Sequence, residues 1–150
     1  MDLEAYLKQK GVWHRFIPKA ETVHTADAAK AAGLELHRVT KNLVSKTDQG
    51  EHVLLITPGD RRVNLKIAAR ALGVKNLSLV PFDQAEEISG YPPGGTPSVG
   101  HKTRMRVVMD KALLEYRTLY CGGGSRDRLL ELKTQDILRI NDAITAEIST

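Results

Sequence analysis

One lysine lies inside a strand-like pattern of apolar residues, and its placement is the first sign of chemistry in this sequence. In the segment Val39–Val44, alternation with a period of two places Lys41 on the same face as Val39 and Leu43. If that face packs against the core, the buried ammonium of Lys41 requires a hydrogen-bonding partner or an anionic ligand. The alternative is an edge strand on which a charged lysine discourages aggregation, and both interpretations stay open.

A loop rich in proline and glycine is the second candidate for a functional site. Between Tyr91 and Gly100 the prolines stiffen the backbone, and the glycines allow N–H groups to approach a ligand closely. Such a loop can form an oxyanion hole or a phosphate-binding nest, although it can equally be a rigid connector. A second glycine cluster, Gly122–Gly124, lacks the spacing of a nucleotide-binding loop and is predicted to be a hairpin turn.

The residues of conventional hydrolases are scarce. The sequence lacks a GxSxG motif, and no metal-ligand spacing connects its five histidines, which are His14, His24, His37, His52 and His101. Cys121 is the only cysteine, which excludes an intramolecular disulfide and a zinc site built on cysteines. A lone cysteine at a strand end is usually a packing residue, and a reactive thiol is the rarer alternative. We therefore predict no metal and no cofactor, so that any hydrolysis depends on positioning and electrostatics.

Cap residues and turn residues divide the chain into the helices and strands of one domain that spans residues 1–150. The helices are predicted between these cap residues: Asp2 and Gly11, Thr25 and Gly33, Asn64 and Gly73, Asp83 and Gly90, with a last helix from Thr134 to Asn141. Asp83 and Glu86 resemble a capping box. The strands are predicted at Val12–Ile17, Arg38–Ser45, His52–Thr57, Leu77–Val80, Arg106–Met109, Arg117–Tyr120 and Leu129–Leu132. Short turns at Lys46–Glu51 and Gly122–Asp127 favour antiparallel hairpins, so the predicted fold is a mixed α/β, or α+β, domain.

Charge and hydropathy exclude some classes of partner. The net charge is +4 and the pI is near 9.3, which favours the approach of a polyanion without providing a dedicated nucleic-acid-binding arm. The longest apolar runs, such as Val53–Ile56, are far shorter than the roughly 20 residues of a membrane span. The acidic start, with Asp2 and Glu4, differs from a signal peptide, so we expect a cytoplasmic protein with no membrane partner.

Four sequence strings together indicate a family. In chain order they are Thr40-Lys41-Asn42-Leu43-Val44, Arg62-Val63-Asn64-Leu65-Lys66, Gly94-Gly95-Thr96-Pro97-Ser98-Val99-Gly100 and Tyr120-Cys121-Gly122-Gly123-Gly124. From about Trp13 to Asn141 the sequence resembles the YbaK/ProX aminoacyl-tRNA deacylases, which are related to the editing domain of bacterial prolyl-tRNA synthetases. The resemblance implies a mixed, partly barrel-like sheet flanked by helices.

The resemblance also implies site residues. It assigns Lys41 a catalytic role, and it assigns substrate binding to Thr25, Asn42, Gly94, Gly95, Thr96, Pro97, Ser98, Val99 and Gly100. Lys41 would anchor the phosphate of the terminal adenosine or polarise the ester carbonyl. Backbone N–H groups of the loop would stabilise the oxyanion, and Gly95 is expected to bring them close to the reacting carbonyl. For Thr25, a simple helix N-cap is the alternative.

The implied function is hydrolysis of the ester bond of a mischarged aminoacyl-tRNA, with the tRNA 3′ end and prolyl-tRNA synthetase as expected partners. Asn42 is typical of the alanine-removing ProX group, whereas the Gly-Gly-Thr-Pro loop is more similar to YbaK. Alanyl- or cysteinyl-tRNA(Pro) is therefore the leading substrate, and seryl-tRNA follows. Two alternatives differ in class: a binding module of the same fold without catalysis, and thiol chemistry at Cys121.

Overall fold

Five α-helices and eight β-strands follow one another along residues 2–150, the part of the chain that the computed structural model describes. The helices are α1 Leu3–Lys10, α2 Thr25–Ala32, α3 Leu65–Leu72, α4 Phe82–Ser89 and α5 Thr134–Asn141. The strands are β1 His14–Pro18, β2 Thr40–Thr47, β3 His52–Pro58, β4 Leu77–Leu79, β5 Arg106–Asp110, β6 Thr118–Gly122, β7 Arg128–Lys133 and β8 Ile144–Ala146. Short 3-10 helices lie at Leu36–Arg38 and Lys111–Glu115. This composition confirms the predicted α+β class; Met1, the first residue of the predicted domain, lies outside the described residues.

Glycine ends four of the helices, as the sequence predicts. The backbone is left-handed at the residue after α1, α2, α3 and α4, with φ values of 65°, 68°, 74° and 87° at Gly11, Gly33, Gly73 and Gly90. Each glycine donates its N–H to a carbonyl of the last helical turn. Because other residues rarely adopt this conformation, these glycines fix where the helices stop. None of the helices between residues 2 and 150 is long and apolar enough to cross a membrane.

The predicted starts of two helices are wrong. Thr25 is the first residue of α2 instead of its cap; His24 takes the cap position and makes no capping hydrogen bond through its side chain. Helix α4 begins at Phe82, directly after Pro81, so Asp83 lies inside the first turn and no side chain caps the helix. Pro81 occupies the cap position, where its ring fixes φ but offers no side-chain acceptor for the first N–H groups of the helix.

The strands form two sheets, and the larger one is mixed, as the sequence predicts. One sheet is antiparallel, in the order β1-β7-β6, and the other has the order β4-β2-β3-β5-β8. The predicted hairpins β2–β3 and β6–β7 are confirmed as antiparallel pairs, whereas β3 and β5, and β5 and β8, run parallel. A bridge between Val39 and Tyr120 joins the two sheets. Strand β8 escaped prediction because three residues without alternation carry no local signal, and β5 holds them in place.

The core fills both faces of the five-stranded sheet. On one face, this sheet packs against the three-stranded sheet, α1 and α5 through Leu54, Ile56, Met109, Leu119, Leu130, Leu7 and Ile137. On the other face it packs against α3 through Val53, Leu55, Val108, Ala68, Ala69 and Leu72. Every residue of β3 after His52 is buried, as expected for a strand that is covered on both faces.

Strand β2 is paired along only part of one edge. Strand β4 pairs with β2 at Ser45–Thr47, and the N–H of Val80 donates to the carbonyl of Val44 at 3.1 Å. From Thr40 to Leu43, β2 pairs with β3 on one side, and no strand of the described chain continues β4 on the other. Backbone groups at such an edge stay available to a ligand.

Candidate active site

A cavity of about 440 Å³ lies along the unpaired edge of β2. This volume is within the range of small-molecule sites in proteins. Its walls come from the start of α2, from β2, from α4 and from the proline and glycine loop. Of the site residues predicted from the sequence, the cavity is lined by Thr25, Lys41, Asn42, Gly94 and Thr96.

Lys41 lies on the cavity wall and is half-buried, so of the two interpretations that the sequence leaves open, the fully buried ammonium does not occur. The reason is that Leu43, its neighbour on the same face of β2, is itself only half-buried and also lines the cavity. The Nζ atom of Lys41 donates to the carbonyl of Arg61 at 2.8 Å. An ammonium has three N–H groups, so this bond orients Lys41 and leaves donors for a ligand.

Asn42 connects β2 to the loop through side-chain hydrogen bonds. The hydroxyl of Ser98 donates to Oδ1 of Asn42 at 2.6 Å, and Nδ2 of Asn42 donates to Oγ1 of Thr40 at 3.0 Å. The hydroxyl of Thr40 in turn donates to the carbonyl of Tyr120 at 3.2 Å. This network fixes the amide of Asn42 on the cavity wall, where it is half-buried.

Glycines allow the loop to lie directly on neighbouring backbone. A Cβ atom at Gly94 would lie 2.7 Å from Cα of Val23, and the left-handed backbone at Gly94, with φ 86°, also favours glycine. A Cβ atom at Gly122, the last residue of β6, would lie 2.5 Å from the carbonyl oxygen of Thr96. The cluster that starts at Gly122 therefore does more than turn the β6–β7 hairpin: it accommodates the loop.

Both backbone polar groups of Gly95 are engaged in hydrogen bonds within the protein. Its N–H donates to the carbonyl of Pro92 at 2.9 Å, and its own carbonyl accepts the N–H of Gly124 at 2.8 Å. The residue is buried against Ser125 and does not line the cavity. The N–H of Gly95 is therefore used to hold the loop, and any contribution of Gly95 at the reacting carbonyl stays a prediction.

The loop residues beside Gly95 are better placed to donate. Gly94 and Thr96 both line the cavity. Within residues 2–150, neither of their N–H groups makes a hydrogen bond to the protein. Of the loop residues Gly94–Gly100, Gly94 and Thr96 are therefore the candidates for the backbone donors that the sequence predicts.

The rest of the loop lies behind the cavity wall. Four predicted substrate-binding residues are buried there: Pro97, Ser98, Val99 and Gly100. The ring of His101 donates to the carbonyl of Pro97 at 2.8 Å, Asn141 donates to that of Ser98 at 2.8 Å, and Tyr91 donates to that of Gly100 at 2.6 Å. Burial raises the pKa of Tyr91 to about 12, so its hydroxyl remains a donor at physiological pH. These bonds hold the loop, and none of the four residues lines the cavity.

The start of α2 forms a further part of the wall. His24, Thr25 and Ala26 line the cavity, and His24 does not cap the helix with its side chain. The first N–H groups of a helix carry partial positive charge. The cavity wall therefore includes the positive end of α2, and Thr25, the first residue of that helix, is half-buried there.

Four further side chains that line the cavity have no signal in the sequence: the apolar Val23, Leu79 and Phe82 at its mouth, and the carboxylate of Glu86. They come from separate segments, and no local motif groups them. Only the fold brings them to one opening.

The thiol of Cys121 is unsuited to nucleophilic chemistry. Its side chain is only 1% exposed, and burial raises the pKa of Cys121 to about 11, an effect that hydrogen bonds from Ser98 only partly offset. A thiolate is the reactive form of cysteine, and this environment suppresses it. Across the described residues, no three His, Cys, Asp or Glu side chains form a group that could hold a metal ion.

Comparison with known proteins identifies the family. Residues 18–140 match the family described as the aminoacyl-tRNA editing domain. The chain belongs to this family. The multifunctional Ser/Thr-tRNA deacylase ProXp-y of Escherichia coli (strain K12) is 29% identical over 147 residues, which cover 92% of this chain and 85% of that protein.

A second relative and a solved structure extend the comparison. EbsC of Enterococcus faecalis, assigned provisionally as a Cys-tRNA(Pro)/Cys-tRNA(Cys) deacylase, is 27% identical over 145 residues, or 97% of this chain and 85% of EbsC. A crystal structure described as a provisional trans-editing enzyme for prolyl-tRNA synthetase has a TM-score of 0.85 at 27% identity, covering 99% of this chain and 94% of that one. The expected membership of the YbaK/ProX editing family and its fold are confirmed.

Substitution of Gly122 tests the close contact between β6 and the loop. We expect Gly122→Ala to lower the free energy of unfolding by about 3 kcal/mol, the upper range for overpacking, because backbone has to move. Gly73→Ala is the control: its φ is 74° with no atom within 4 Å of the added Cβ, so strain alone should cost about 1 kcal/mol. Urea denaturation measures both values, and equal losses would show that the loop does not rest on β6.

Alkylation tests the burial of Cys121. At pH 8 a thiol with a pKa of about 11 is ionised in only about one molecule in a thousand, and its burial excludes the reagent. We expect iodoacetamide to leave the native protein unmodified and to label it fully in urea, as measured by mass spectrometry. Rapid labelling of the native protein would contradict this placement and would restore the thiol as a candidate nucleophile.

Proposed function

We propose that this protein hydrolyses the ester bond of mischarged aminoacyl-tRNA and acts in trans on the released tRNA. The observation that carries the proposal is the meeting of Lys41, Asn42, Gly94 and Thr96 on one cavity in a chain of the aminoacyl-tRNA editing family. The relatives named ProXp-y and EbsC, the latter provisionally, are deacylases of this type. We expect the reaction in the cytoplasm, where tRNA is charged.

The chemistry needs no protein nucleophile. An aminoacyl ester is already activated, so catalysis chiefly requires a fixed substrate and stabilisation of the tetrahedral oxyanion. Water attacks the carbonyl carbon, the ester C–O bond breaks, and a proton of that water goes to the leaving ribose oxygen. If a group of the substrate attacks first, it forms a new ester or thioester with the same carbonyl, and water then hydrolyses that bond. The N–H groups of Gly94 and Thr96 are the proposed oxyanion donors, and each such donor contributes about 3 kcal/mol in comparable sites.

Lys41 is the proposed catalytic residue. Its bond to Arg61 directs the side chain along the wall, and its remaining donors can reach either a phosphate of the terminal adenosine or the ester carbonyl. Asn42 and Thr25 are proposed to contact the substrate from β2 and α2. We propose a supporting role, without substrate contact, for the buried part of the loop: Gly95, Pro97, Ser98, Val99 and Gly100.

For the amino acid we propose alanine or cysteine carried by tRNA(Pro), with serine as the next candidate. One methylene distinguishes similar amino acids by only about 1–3 kcal/mol, so a synthetase cannot exclude a smaller analogue and a separate editing site is needed. Prolyl-tRNA synthetase is the proposed source of the mischarged tRNA. The resemblance in fold to a provisional trans-editing enzyme for that synthetase supports this choice.

A panel of charged tRNAs tests the proposal. We expect release of labelled alanine, cysteine or serine from tRNA(Pro) in single-turnover reactions. Correctly charged prolyl-tRNA(Pro) should be spared, because proline is too large for a site that accepts smaller residues. Binding of each tRNA should be measured in parallel. Binding of mischarged tRNA without release of any amino acid would reject the hydrolase and indicate a binding module of the same fold.

Two lysines on the same strand test the catalytic assignment. Lys41→Ala should reduce the single-turnover rate at least about 100-fold, the loss that follows removal of one electrostatic stabiliser, with an unchanged melting temperature. Lys46→Ala is the matched control, because Lys46 is exposed on β2 and does not line the cavity. A Lys41→Ala variant with activity within a few-fold of the wild type would remove this residue from the mechanism.

A further inference from the structure

Large apolar side chains exposed to solvent are concentrated at the mouth of the cavity. Five such residues occur within residues 2–150, and three of them line this cavity: Val23, Leu79 and Phe82, exposed by 39%, 45% and 62%. Single exposed apolar residues are normal on a protein surface, whereas a cluster beside a cavity indicates contact with a ligand. We call Val23, Leu79 and Phe82 the apolar rim.

The packing of α4 does not explain the exposure of Phe82. Helix α4 is attached to the main core by Ala85 and Ile88, which are partly buried against it, and Phe82 is not among the residues packed there. The ring of Phe82 stands at the first position of the helix and remains mostly in solvent. Its contribution to stability is therefore small, and its apolar surface remains available for a ligand.

The charges of α4 restrict what that ligand can be. The helix carries Asp83, Glu86 and Glu87 and has no basic residue, and Glu86 lines the cavity close to the rim. These carboxylates repel phosphate groups. An apolar, uncharged part of the substrate therefore fits this side of the mouth, while the phosphates fit the side of Lys41.

Resting on the proposed function, we propose that Phe82, flanked by Leu79 and Val23, is the stacking platform for the terminal adenine of the tRNA. The aminoacyl ester enters the cavity, so the base attached to the same ribose is left at its mouth. Every nucleobase has a flat π-face, and stacking on an aromatic side chain stabilises such complexes without a specific hydrogen bond. The terminal adenine is uncharged and has an apolar face, so it fits the side of the mouth beside α4.

Binding of an uncharged acceptor hairpin tests this platform separately from catalysis. The probe is an RNA hairpin with a single-stranded CCA end, and a second hairpin lacks only the terminal base. We expect Phe82→Ala to weaken binding of the intact hairpin about tenfold, while Phe82→Tyr keeps the aromatic face and binds like the wild type. Trp13→Ala is the matched control, since Trp13 is 44% exposed and lies outside the cavity lining. A thermal melt verifies that each variant is folded.

Binding of the hairpin that lacks its terminal base shows whether Phe82→Ala weakens binding through the adenine or through another contact. If Phe82 stacks on the adenine, the wild type also binds this hairpin about tenfold more weakly, and Phe82→Ala causes no further loss. Equal binding of the intact hairpin by Phe82→Ala and wild type would overturn the proposal, as would an undiminished effect on the hairpin without the base, or no binding by the wild type. Sedimentation that shows a wild-type dimer abolished by Phe82→Ala would instead assign the apolar rim to a second copy. None of these results depends on turnover, so an inactive protein that stacks the adenine would refute only the hydrolase.

Discussion

Direct contact between the backbone of the loop and the end of β6 is the constraint on which the rest of the site depends. Gly122 has no room for a Cβ beside Thr96, and Gly95 accepts a hydrogen bond from Gly124 across the same contact. Because both partners are main chain, their separation is set by atoms that have no rotamers. The loop consequently carries Ser98 to Asn42 and presents Gly94 and Thr96 to the cavity in one defined position.

The incomplete edge of β2 provides the space that this loop encloses. Alternate residues of a strand point to opposite faces, so Lys41 and Asn42 leave β2 on different sides. They line the same cavity because β4 stops short, and the cavity extends along the unpaired edge to both faces. A fully paired β2 would separate the ammonium of Lys41 from the amide of Asn42 by the sheet itself.

Local sequence signals predict where most helices and strands lie, whereas long-range packing determines the surroundings of the residues at the cavity. The glycine caps at Gly11 and Gly73 set helix ends through backbone conformation alone, so the sequence predicts them well. The environment of Lys41 could not be predicted, because it depends on where β4 ends. The N–H of Gly95 bonds to Pro92, only three residues away, but the carbonyl of Gly95 bonds to Gly124, and that contact depends on how the loop packs against the end of β6. Phe82 carries no signal, since an aromatic residue after a proline has the same local pattern in a core or on a rim.

Backbone groups and side chains of the cavity are expected to have different effects on which amino acid is removed. The backbone donors that we propose at Gly94 and Thr96 would meet the carbonyl that all aminoacyl esters share, so they would not distinguish one amino acid from another. Discrimination therefore rests on side chains in the cavity. On the proposed function, apolar lining residues such as Val39 and Leu129 would limit size, at about 1–3 kcal/mol for each methylene, and the hydroxyl of Thr25 and the amide of Asn42 would respond to a polar substituent. A change of substrate can then arise from a few side chains while the main-chain contact at Gly122 keeps the chemistry intact.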